Sequence, residues 1–105
     1  MRMMVPVPPE NADDSTVVRF AHSYDGYARH GTVPELGAVV RPVHEHWKPT
    51  GELPTQLDLL RACLFFAVRA HRFTGEVEPF TADPFVLALI RQIRVVSGGS
   101  VELTA

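Results

Sequence analysis

The sequence predicts an all-α protein, a compact four-helix arrangement with a flexible N-terminal arm. Three observations carry that reading. Apolar residues recur with helical period in four segments, about 15–30, 33–47, 55–73 and 84–97. Cap-forming or chain-breaking residues bound each segment. The best hairpin candidate, Asp25-Gly26, lacks alternating flanks.

The opening MRMMVPVPPENADDS holds Pro6, Pro8 and Pro9, and its apolar positions have no helical period. It lacks the long apolar stretch of a signal peptide. Residues 1–14 are therefore expected to form the arm, and residues 15–105 one helical domain.

Asp13-Asp14-Ser15 is N-cap material for the first helix, and Gly31 suits the position just past its end. Val17, Phe20, Ala21, Tyr24, Tyr27 and Ala28 share one face. The second helix starts with a capping box, Thr32-Val33-Pro34-Glu35. Its apolar stripe runs through Leu36, Val39, Val40, Val43 and Trp47. Pro42 falls on the polar side, where a kink curves the helix rather than ending it, with a break at Arg41 as the alternative.

KPTGELP (48–54) is a loop, after which Thr55 to Asp58 cap the third helix. Asp83-Pro84 opens the fourth, Phe85, Val86, Leu89, Ile90, Ile93 and Val96 form its inner face, and Ser97-Gly98-Gly99 ends it.

The third helix, LDLLRACLFFAVRAHRF (57–73), poses the functional question. Asp58, Arg61, Arg69 and Arg72 occupy an arc of only about 80° at 100° per residue, and the remainder is apolar apart from His71. The charges exclude a membrane span. The helix is either the centre of the core or also faces a partner. Phe65 falls within the charged arc. It reads as a surface ring lying under arginine stems, as an interface anchor beside Arg61, Arg69 and Arg72, or as a platform for a nucleobase.

Other chemistry is thin. The net charge of −2 argues against a dedicated nucleic-acid binder. The solitary Cys63 excludes an internal disulfide and, among apolar neighbours, reads as a buried thiol, which together favours a cytoplasmic setting. His44 and His46 point to opposite sides of a helix, so His44-Glu45-His46 is not a chelating pair, and neither a metal nor a cofactor is implied. Tyr24 and Tyr27 need buried partners for their hydroxyls; with His71 they are the one ligand pocket that can be assembled.

Ser23-Tyr24-Asp25-Gly26-Tyr27, Gly51-Glu52-Leu53-Pro54 and Leu60-Arg61-Ala62-Cys63-Leu64-Phe65-Phe66 with Arg69 resemble a pattern in small uncharacterised actinobacterial proteins, FDGY…GELP…LRxxLFFExR. The likeness spans about residues 20–75, and Ala67 departs from it where those proteins carry an acid. The resemblance implies no activity, so it assigns no role to any residue.

The sequence reading is thus a non-catalytic helical interaction module, self-associating through the third helix or binding a protein partner. Two alternatives remain: a DNA-binding regulator with Arg61, Arg69, Arg72, Arg91 and Arg94 on one basic face, and a ligand-binding protein or enzyme with the Tyr24, Tyr27 and His71 pocket.

Overall fold

A computed structural model describes residues 2–9, 11–24, 33–73 and 83–104. Four helices dominate: α1 (Asp14–His22), α2 (Val33–Thr50), α3 (Leu57–Phe73) and α4 (Pro84–Ser97). A strand at each end of the chain, β1 (Arg2–Pro6) and β2 (Ser100–Thr104), completes the element order. The all-α expectation holds, with a small terminal ribbon added to it.

α1 begins where Asp13 accepts a hydrogen bond from the Thr16 amide at 2.9 Å and another from the Thr16 hydroxyl at 2.6 Å. The hydroxyl first, then the amide, holds the Asp13 carboxyl below its ordinary range, because both favour the ionised form. α1 is shorter than predicted. Ser23 closes it, its amide bonding back to the carbonyls of Arg19 and Phe20, while the Tyr24 amide reaches only three residues back, to Ala21. In a continuing helix the Phe20 carbonyl would receive the Tyr24 amide. Here it accepts the Ser23 hydroxyl at 2.6 Å instead. Residues 25–30 of the predicted helix lie outside the described residues.

α2 continues unbroken through Pro42, which sits on its exposed side as the pattern indicated, so the alternative break at Arg41 does not occur. It continues past Pro49 and closes at Gly51, whose φ of 73° places it in the left-handed region and whose amide reaches the Trp47 carbonyl at 2.7 Å. α4 has the predicted bounds. Asp83 accepts from the Phe85 amide at 2.9 Å, Pro84 fills the first turn, and Gly98 (φ 70°) ends the helix.

α3 is the central element, packed against α1, α2 and α4 alike. Leu60, Ala62, Cys63 and Val68 on it are fully buried. α2 comes close at Gly37, where a Cβ would stand 3.2 Å from the Phe66 ring. α4 contributes Val86, Leu89, Ile90 and Ile93, all at 0% exposure, so the α3–α4 seam excludes water. Gln92 donates to the Pro54 carbonyl at 3.1 Å and ties the loop before α3 to α4.

The flexible-arm expectation is corrected for residues 2–6. β1 pairs antiparallel with β2, Arg2 opposite Thr104 and Pro6 opposite Ser100. Three hydrogen bonds extend the junction: Val7 amide to Gly99 carbonyl, Gly99 amide to Arg94 carbonyl, and Arg94 Nη1 to Val7 carbonyl at 2.8 Å. Val7 and Val101 drop into the core at 2% exposure each. Proline density hid this strand, because Pro6 sits where a strand edge needs no amide.

Candidate functional site

The side chains that meet between α1 and α3 form the most polar cluster described within the fold. Arg61, only 7% exposed, is the one buried charged residue among those described. Its Nη2 donates to Ser23 Oγ at 2.7 Å and to the Phe20 carbonyl at 3.3 Å. Its guanidinium carbon stands 4.9 Å from the centre of the Phe20 ring and 5.5 Å from that of Tyr24. A cation is thus placed against the carbonyl end of α1, where the helix dipole is negative, with two aromatic faces around it. Tyr24 is buried, and its hydroxyl donates to Asp58 in the first turn of α3 at 3.2 Å.

Phe65 continues the same contact. It is 8% exposed, with ring centres 5.9 Å from His22 and 6.1 Å from Tyr24. The expectation of an exposed Phe65 and Arg61 on a polar arc is therefore corrected. That arc is where the end of α1 docks, and Arg61 is an internal cap rather than a solvated charge. Arg69 is half-buried further along the same side. Arg72 and His71 lie in α3, but their side chains are outside the described residues, as is Tyr27 altogether. Of the expected pocket, only Tyr24 is described, and the hydroxyl partner found for it is Asp58. With Arg61 inside, the single basic face needed for a DNA-binding regulator loses one of its five members.

A second cluster joins α2 to α4. The half-buried His44 ring meets the Phe85 ring edge-on at 4.6 Å between centres, and Trp47 lies 4.9 Å from Phe85. His46 points away to Glu52, 3.7 Å off and fully in solvent-facing surroundings. The two histidines diverge as their spacing requires.

The third feature is an open cleft of about 300 Å³ between the ribbon and α1, lined by Val5, Pro6, Pro8, Thr16, Arg19, Phe20 and Ser23. Thr16, Arg19, Phe20 and Ser23 form one helical stripe, three and four residues apart. Sequence reasoning missed this cleft, because one of its walls is a strand taken for a loose arm.

Cys63 behaves as its neighbours suggest. Burial pushes its thiol from 9.0 up to about 12, since a thiolate there would lose its water. A maleimide or disulfide reagent is expected to label native protein at the rate of global unfolding and unfolded protein at once. Because the folded value is the higher, the thiol supports the fold fully below about pH 9. That support is lost as pH rises towards about 12. Labelling rates in rising urea check the first statement, and urea midpoints measured at rising pH check the second.

No protein-family model matches the chain, and no characterised protein or solved structure is found similar to it. No helix among the described residues is long and apolar enough to cross a membrane.

Proposed function

We propose that the chain is a non-catalytic helical interaction module of the cytoplasm that acts by contact and self-associates. The observation that supports this reading is how the polar side chains are used. Arg61, Ser23, Tyr24 and Asp58 are turned to holding α1 on α3. The large apolar side chains that face outward among the described residues are Met4, 60% exposed on the two-stranded ribbon, and Val95, 73% exposed on α4. Methionine and open strand edges are what interfaces use. The contact surface in this proposal is the ribbon rather than Phe65. Kinship with the actinobacterial proteins belongs to the same proposal: Ser23, Tyr24, Pro54 and Arg61 of the shared pattern all take part in contacts that tie one element to another.

Light scattering from low to high micromolar concentration tests it. The wild-type chain is expected to reach the mass of a dimer, and Met4→Glu to remain a monomer with unchanged helix content. A wild-type monomer throughout rejects self-association. A Met4→Glu dimer moves the contact away from the ribbon.

A further inference from the structure

The cleft between the ribbon and α1 runs along a strand edge. Side chains of Val5 and Pro6 project from opposite faces of β1, so a cleft lined by both follows the edge between those faces. Neither Ser100 nor Val101, the two β2 residues whose side chains are described, lines it, and the described sheet has two strands, so the cleft follows the edge turned from the partner strand. The Val7 amide bonds the Gly99 carbonyl in the register that pairs Val5 with Val101, so odd-numbered residues of β1 hydrogen-bond to β2. Arg2, Met4 and Pro6 then direct their backbone groups outward. Pro6 has no amide, and it offers its carbonyl beside both groups of Met4.

Across the cleft stands the α1 stripe. Phe20, 4% exposed, forms an apolar floor with Val5, Pro6 and Pro8 around it. Arg19 is exposed on the stripe, one residue before it. Its guanidinium is near enough to the Asp13 carboxylate to help hold that acid ionised, so an incoming carboxylate shares the side chain with Asp13.

We propose that this cleft binds the C-terminal end of an extended peptide, an apolar last residue over Phe20 with its free carboxylate on Arg19. Three features fix that chemistry. The open edge hydrogen-bonds a backbone, as in strand addition. A volume of about 300 Å³ takes one or two side chains rather than a helix. The planar fork of Arg19 matches a carboxylate and discriminates it from an amide. The inference deepens the interaction-module reading and rests on it, naming a partner class.

The test uses the full chain, labelled with nitrogen-15, and two probes: acetyl-Thr-Val-Thr-Leu with a free carboxylate, and the same peptide as its amide. The acid is expected to shift the amide signals of Thr16, Arg19, Phe20 and Ser23 and to bind about tenfold more tightly than the amide. Arg19→Gln is expected to lower the acid to the affinity of the amide and to leave the amide unchanged. Arg19 is exposed, so this variant keeps the fold. Equal binding of acid and amide, shifts confined to other surfaces, or no shift at millimolar peptide each overturn the proposal. Light scattering of the peptide-free chain reports self-association separately, so loss of one reading is distinguishable from loss of the other.

Discussion

Phe65→Glu is expected to unfold the protein. The position looks polar on a helical wheel, flanked by Arg61 and Arg69, and on that view a glutamate would be harmless. In the structure the ring is 8% exposed and packs against His22 and Tyr24. Replacing it removes the packing of a buried aromatic, about 3–5 kcal/mol, and adds the cost of a carboxylate out of water. A chain of this size has roughly 5–15 kcal/mol in all. Circular dichroism of the purified variant is expected to show lost helix at room temperature. Phe65→Leu, which keeps an apolar side chain, is expected to remain folded at a lower melting temperature. A folded, cooperative Phe65→Glu protein would return the residue to the surface.

Arg61→Ala is expected to cost about 3–4 kcal/mol, because the Phe20 carbonyl and Ser23 Oγ lose a charged donor while the stem leaves a void beneath two rings. For about a hundred residues this lowers the melting temperature by about 15 °C. Arg61→Lys is expected to recover only part of it, since an ammonium can donate to hydroxyl and carbonyl but lacks the planar guanidinium that lies against the Phe20 and Tyr24 rings. Arg41→Ala, on the exposed side of α2, is the comparison and should move stability by less than about 0.5 kcal/mol. Urea unfolding followed at a helix wavelength checks all three. Equal loss in Arg61→Ala and Arg41→Ala would show that the cap contributes nothing.

These two residues also show what the sequence could and could not reveal. Local signals were legible. Asp83-Pro84 and Gly98 bounded α4 correctly, and the apolar faces of α1, α2 and α4 are buried residue for residue at Val17, Phe20, Leu36, Val40, Leu89 and Ile93. Periodicity and capping act within a few residues, so one stretch of chain contains them. The use of Arg61 is not local. Its acceptors lie 41 and 38 residues away, and nothing near Arg61 tells whether its charge meets water or the end of another helix. The same limit hid the ribbon, whose strands are separated by almost the whole chain. Neither RMMVP nor SVELT is long enough to announce a strand alone. The cleft, bounded by one of those strands, was out of reach with it.

The antiparallel pairing of Arg2 with Thr104 has a consequence for how the molecule is handled. Opposed residues in such a ladder stand about 5 Å apart. Residues 2 to 104 therefore trace an almost closed ring, and a bridge of a few glycines from Thr104 to Arg2 would complete it. New ends opened at Gly51-Glu52, both exposed and outside any helix, would give a circular permutant with every helix intact. The same geometry governs fusions. Anything joined before Arg2 and anything joined after Thr104 leaves from the same rim, beside Met4, so a bulky fusion at one crowds the other as well.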